Sequence, residues 1–220
     1  MMRRLAILIL SCLAVAFAAQ SCSDEPSGRP DVVFIGNSIT AYWGKYHPAF
    51  FADNNIACKG ISGQTTARIR DRFVTDVMDL KPKAVVIMAG INDLAQNEGW
   101  ASPEEVFGMI RSLCMRARRA GIVPIIASIT PAGSIYWRTE LTGIPEAIAA
   151  LNRRLRDYAA AAGIDYVDYH AALDTDGDGA IDAGLTDDGV HPLPDAYFIM
   201  EEAVMPHIAP YLSTDKTDRR

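Results

Sequence analysis

From residue 31 onward, short apolar runs alternate with longer amphipathic stretches. The runs at 31–35, 56–59, 84–88, 122–128 and 164–168 are rich in Val and Ile and too short for helices, so they read as buried strands. Between them the apolar spacing changes to that of a helix. After Ser102-Pro103-Glu104-Glu105, which offers an N-cap, a proline at the first helical position and a capping-box glutamate, Val106, Ile110, Leu113, Cys114 and Ala117 recur on one face until Gly121. Another helix starts near Pro145, with Ile148, Leu151, Leu155 and Tyr158 as its stripe, and stops at Gly163. A last one runs from Pro194 to about Tyr211.

Uniformly apolar strands that alternate with helices pair in parallel, with helices on both faces. Five such units predict an α/β fold, a three-layer α/β/α sandwich whose five-stranded parallel sheet has the flavodoxin-like order 2-1-3-4-5. Residues 31–212 would form one domain, followed by a polar tail at 213–220. With 220 residues, half of them hydrophobic, one sizeable core is affordable. A formal charge of -6 and the lack of any basic stripe speak against nucleic acid as a partner.

The first 21 residues are different in kind. Two arginines precede an apolar run to Ala19, and small residues then lead to Cys22. This reads as an export signal, and Ala19-Gln20-Ser21-Cys22 resembles a bacterial lipobox, in which the cysteine carries the lipid. The expectation is an exported, membrane-anchored lipoprotein, periplasmic or cell-surface, attached through Cys22, with residues 22–30 as a polar tether. Ordinary cleavage after Ala18 is the alternative. Of the remaining cysteines, Cys58 falls in a strand and Cys114 on an apolar helix face, and both read as small buried thiols.

In a parallel sheet every strand delivers its carboxyl end to one edge, where ligands bind. Ser38 follows the first strand, Gly63 the second and Asn92 the third. Asp188 and His191, in Asp188-Gly189-Val190-His191-Pro192, follow the fifth. A serine hydroxyl is a poor nucleophile until a base takes its proton. His191 supplies such a base, and a carboxylate three residues earlier fixes its tautomer. The backbone N–H groups of Ser38 and Gly63 and the side-chain amide of Asn92 are candidate donors for an oxyanion hole. A helix cap for Ser38 is the plainer alternative. His47, His170 and His207 show no such pattern.

Ser, Gly, Asn and His in this order, each after a strand, resemble the SGNH hydrolases, or GDSL-like lipase/esterase family. The matching blocks are Gly36-Asn37-Ser38, Gly60-Ile61-Ser62-Gly63, Gly90-Ile91-Asn92-Asp93 and Asp188-Gly189-Val190-His191-Pro192, with Asn37 where the name-giving motif has aspartate. The resemblance implies the same fold over 31–212 and the same serine-hydrolase roles, with no cofactor and no catalytic metal.

Substrate is less legible. Tyr42 and Trp43 after the nucleophile, and Tyr136 and Trp137 in the loop after the fourth strand, would sit near the rim, where aromatic faces stack on sugars or line an acyl pocket. An exported esterase with such a rim fits deacetylation of carbohydrate esters on a small molecule or glycan. Lysophospholipid or short-chain acyl hydrolysis is the alternative, and a non-catalytic glycan-binding lipoprotein is the reading from another class. In 174–182, Asp174, Asp176, Asp178, Gly179 and Ile181 match the first part of a calcium loop, but Leu185 replaces its closing glutamate. A solvated turn is expected there, with structural calcium as the alternative.

Overall fold

The computed structural model describes residues 28–213. The signal segment, Cys12, Cys22, most of the tether and the last seven residues lie outside the described residues. Among those described, no helix is long and apolar enough to cross a membrane.

Five strands, β1 (Val32–Gly36), β2 (Ile56–Gly60), β3 (Ala84–Met88), β4 (Val123–Ala127) and β5 (Asp165–Val167), form one parallel sheet in the order β2-β1-β3-β4-β5. This is the predicted order. Side chains alternate across the pleat, so each central strand feeds two cores. Val33, Ile35, Val85, Ile87 and Ile126 pack under α3 (Thr66–Asp71), α5 (Pro103–Arg119) and α6 (Ile144–Ala162). Val32, Phe34, Val86 and Ile125 face the opposite layer, made of α1 (Ser38–Tyr46), α2 (Pro48–Asp53), α7 (Tyr169–Leu173) and α8 (Pro194–Ile208). A four-residue α4 (Ile91–Leu94) follows β3.

The local signals work as chemistry. Ser102 Oγ accepts the Glu105 N–H at 3.2 Å while the Glu105 carboxylate accepts the Ser102 N–H at 2.9 Å, closing the capping box on α5. Gly163 ends α6 in the left-handed region, at φ 58°. The last helix is shorter than the sequence suggests: α8 stops at Ile208, and a 3-10 turn, Ala209–Tyr211, completes the segment.

Two features aim the carboxyl edge. The register pairs Gly36 with both Gly60 and Met88, so β1, β2 and β3 end level and their loops leave at one height. The first turn of α1 then lies directly on bare backbone. A Cβ at Gly60 would stand 2.1 Å from the Ala41 nitrogen, and one at Gly36 would stand 2.1 Å from Thr40 Oγ1. Only glycine permits this approach. At the opposite edge, Asp31 accepts the N–H and the Oγ–H of Ser213, both at 2.9 Å, and pairs with Lys83 at 2.7 Å.

Cys114 is a free, buried thiol, as the sequence suggests. Cys58 is not a second one: it is disulfide-bonded, and its bridge does not run to Cys114. The expectation of two thiols came from strand and helix faces alone, which say nothing about what a small sulfur side chain meets.

Candidate active site

Ser38 opens α1, and Asn37 caps that helix by accepting the Ile39 N–H at 3.0 Å. The capping role that competes for a serine after a strand thus falls to its neighbour. Ser38 Oγ is left free to meet His191 Nε2 at 2.9 Å. The two residues are 153 positions apart in the chain, and the sheet edge joins them.

His191 sits in a small self-braced loop. Leu193 N–H donates to the Leu185 carbonyl at 2.8 Å, Thr186 Oγ1 donates to the His191 carbonyl at 2.9 Å, and the Gly189 N–H donates to Thr186 Oγ1 at 3.0 Å. Asp188 uses both carboxylate oxygens. Oδ1 accepts the backbone N–H groups of Val190 (2.8 Å) and His191 (2.7 Å), and Oδ2 stands 2.7 Å from His191 Nδ1. An ionised carboxylate only accepts, so Nδ1 carries the proton and Nε2 keeps its lone pair toward Ser38. Burial pushes the Asp188 carboxyl up. The His191 and Val190 N–H groups and the imidazole outweigh it and hold the group below its ordinary value.

The other candidate donors lie on the neighbouring loops. Gly63 follows β2 at φ +77°, and a Cβ there would meet nothing within 4 Å. The glycine is therefore required by its left-handed backbone, and not by crowding. Asn92 lies in α4, 2 % exposed. Its Nδ2 donates to the Gln64 carbonyl at 2.9 Å, and its Oδ1 accepts Asn97 Nδ2 at 2.9 Å.

Two groups that the sequence reading passed over weld these loops together. The Asp93 carboxylate accepts the Thr66 N–H at 2.9 Å and the Thr66 hydroxyl at 2.8 Å, tying the segment of Asn92 to the helix after Gly63. Burial raises this carboxyl, and the Thr66 bonds offset only part of the rise. Arg72 donates to Gln64 Oε1 at 2.5 Å and to the Gly36 carbonyl at 2.8 Å, bridging the ends of β1 and β2. The signal for Asp93 was its place beside Asn92 in Gly90-Ile91-Asn92-Asp93. Arg72 gave none.

The aromatic expectations divide. Trp137 is at the rim, its ring 6.2 Å from that of His191 and tilted by 27°, with Nε1 donating to Asn97 Oδ1 at 2.8 Å. Trp43 is not a rim residue. It is 1 % exposed, packed among Phe34, Phe50, Phe51, Tyr169 and Tyr197, with its Nε1 on Glu201 at 3.1 Å. The reason is helical phase. Residues four apart share a face, so Ile39 and Trp43 turn into the core while Ser38 and Tyr42 turn to the rim. Of the pair, Tyr42 is the rim residue, its ring 5.2 Å from His191. Tyr136, from the same loop as Trp137, lies 6.3 Å from the same imidazole.

The remaining histidines pair elsewhere: His47 with Glu201 at 2.6 Å, His170 with Asp174 at 3.8 Å and His207 with Asp165 at 3.5 Å. In the acidic loop, Asp174, Asp176 and Asp182 bring one oxygen each within 4.8 Å of one another. Asp174 there accepts the Gly177 and Gly179 N–H groups, and Asp182 accepts from Thr175. These carboxylates close the turn on its own backbone N–H groups.

A hydroxyl held against an unprotonated ring nitrogen, with a carboxylate behind the ring and amide donors on adjacent loops, has the parts for acyl transfer. Comparison with known proteins agrees with this chemistry. Residues 34–198 match the model of the GDSL-like Lipase/Acylhydrolase family. The chain is similar to a GDSL-like lipase from Bacteroides thetaiotaomicron VPI-5482, with 40 % identity and a TM-score of 0.79 over 81 % of this chain and 87 % of that one. It shares its fold with a catalytic mutant of an acetylxylan esterase from Geobacillus stearothermophilus, at 23 % identity and TM-score 0.65, covering 83 % of this chain and 96 % of that one. A shorter match, 39 % identical over 80 residues, is to a lipoprotein of Bacillus subtilis (strain 168) and covers 35 % of this chain. It spans only about a third of that curated relative, 33 % of its length. The family match covers most of the chain and includes every candidate residue of the rim, so this chain belongs to the GDSL-like lipase/acylhydrolase family.

Proposed function

We propose that the protein is an exported serine esterase that cleaves carboxylic esters through Ser38, His191 and Asp188. The observation that carries the proposal is the continuous line from Ser38 Oγ to His191 Nε2 (2.9 Å) and from His191 Nδ1 to Asp188 (2.7 Å). As Oγ attacks the ester carbonyl, its proton passes to Nε2, and Asp188 stabilises the imidazolium that results. The carbonyl oxygen becomes an oxyanion, received by the N–H groups of Ser38 and Gly63 and the amide of Asn92. Ser38 stands at the first position of α1, where a backbone N–H has no partner within the helix. Collapse breaks the ester C–O bond, sends the proton from Nε2 to the leaving alcohol and leaves the acyl group on Ser38 Oγ; water, losing its proton to His191, then attacks that acyl group, and the second collapse frees the acid and returns the proton to Oγ.

The substrate class we favour is an acylated carbohydrate, with acetyl as the group removed. Tyr42, Tyr136 and Trp137 around His191 support this reading, because flat faces beside the reacting group suit a sugar ring. The name of the acetylxylan esterase neighbour is consistent with it, although that likeness speaks for the fold alone. Membrane attachment on the amino-terminal side of the domain is part of the same proposal, supported by the export-signal pattern of the first 21 residues and by the lipoprotein relative.

A fluorophosphonate probe is expected to label Ser38 in the wild type and to leave His191→Ala unlabelled. A folded wild type that stays unlabelled refutes the nucleophile. Comparison of kcat/KM for acetylated sugars, short p-nitrophenyl esters and lysophospholipids then tests the substrate class. A preference for lysophospholipid overturns the carbohydrate assignment.

A further inference from the structure

We propose that Asn97 and Trp137 are positioning residues that aim the Asn92 amide at the developing oxyanion. The inference rests on the esterase reading and adds two residues that lie outside its four motif blocks. It follows from the direction of each hydrogen bond. An indole N–H can only donate. Trp137 Nε1 lies 2.8 Å from Asn97, which must therefore present its Oδ1 to the ring. That choice turns Asn97 Nδ2 toward Asn92, whose Oδ1 accepts it at 2.9 Å. Asn92 Nδ2 is left facing the Gln64 carbonyl at 2.9 Å, which uses one of its two hydrogens and leaves the other for the pocket.

Reversing the Asn92 amide would set Oδ1 against the Gln64 carbonyl and Nδ2 against the Asn97 amide hydrogens, two repulsive contacts in place of two bonds. A donor-only group at the rim thus fixes, through one intermediate amide, which atom of Asn92 meets the substrate. The backbone holds the relay in place. Asn97 N–H donates to the Asn92 carbonyl at 3.0 Å, and Arg138, next to Trp137, donates to the carbonyls of Ala95 (2.8 Å) and Gln96 (3.0 Å). Asn97 is exposed and Trp137 partly so. Substrate lying on the Trp137 ring would shield both bonds from water and strengthen them, coupling occupancy of the rim to the order of the oxyanion donor.

The test is a double-mutant cycle on the full chain, with p-nitrophenyl acetate as substrate. Asn92→Ala should lower kcat by about 10²–10³-fold, the usual cost of one oxyanion donor. Asn97→Ala should lower it by about tenfold and Trp137→Phe, which keeps a ring but loses the donor, by about fivefold, a part of that same donor's worth. KM should stay within about twofold in both, because the defect appears only as charge develops. The decisive variant is Asn92→Ala combined with Asn97→Ala. If Asn97 acts through Asn92, the pair is no slower than Asn92→Ala alone. Losses that multiply overturn the relay, as does an unchanged kcat in folded Asn97→Ala and Trp137→Phe. Should Asn97→Ala fail to fold, Trp137→Phe completes the same cycle. A wild type that neither turns over esters nor takes the fluorophosphonate refutes the esterase reading and the relay with it. An active wild type with multiplicative losses refutes the relay alone.

Discussion

Replacing Asp188 by asparagine tests the proton path with little change in shape. The two oxygens of this carboxylate have different partners. Oδ1 holds the N–H groups of Val190 and His191, and Oδ2 holds His191 Nδ1. In Asp188→Asn the new amide can place its oxygen on only one side. On the backbone side it keeps two bonds; on the ring side it keeps one and drives an NH₂ group into two N–H donors. At about 0.5–1.5 kcal/mol per bond, plus the penalty for unsatisfied donors, the backbone side wins. The amide NH₂ then faces Nδ1, which must become an acceptor, and the ring proton moves to Nε2. Ser38 is left facing an N–H where it needs a lone pair. The expected loss in kcat is about 10³–10⁴-fold, or about 4–5.5 kcal/mol of barrier. The assay is steady-state hydrolysis of p-nitrophenyl acetate beside the rate of fluorophosphonate labelling, with a melting curve to show that the loop is intact. A folded variant that loses less than tenfold refutes the tautomer argument.

Other expectations follow from features away from the reacting atoms. Gly60→Ala should destabilise the protein by about 1–3 kcal/mol in chemical denaturation, since its Cβ would overlap the Ala41 nitrogen; kcat should fall as well, because the displaced turn carries Ser38. Cys114, its thiol pushed up to about 12 by burial, should resist iodoacetamide in the folded protein and react on unfolding; rapid native-state labelling would contradict its burial. Asp31 is raised by burial but held below its ordinary value of 3.8 by Lys83, Ser213 and Asn55. A depressed carboxyl stabilises above its unfolded pKa and loses that contribution as pH falls through the folded one. The melting temperature of Asp31→Asn should therefore lie a few degrees below wild type at neutral pH, with the gap closing below about pH 4; a gap that persists in acid would refute the assignment.

The sequence carried the sheet well because period and length are local properties. Each of the five apolar runs overlaps a strand, and no boundary moved by more than one residue. The meeting of Ser38 with His191 and Asp188 was legible as well, because strand polarity sends the ends of all parallel strands to one edge. Depth within a helix was harder to read. Tyr42 and Trp43 are adjacent and both aromatic, yet about 100° of helical rotation sends one to the rim and the other into the core. Taking Ser38 as the reference and counting four residues would have chosen Tyr42. Asn97 and Arg72 left no periodic trace, since they act through loop contacts that only the assembled edge creates.

The clamp between Asp31 and Ser213 also bears on how the molecule can be held. It brings both ends of the described chain to the amino edge of the sheet, one strand length, roughly 17 Å, from the serine. A handle at either end, whether a bilayer, a bead or a fused domain, would pull on the base of the molecule and leave its mouth turned outward. Bulky polymers could then approach head-on without the support standing in their way.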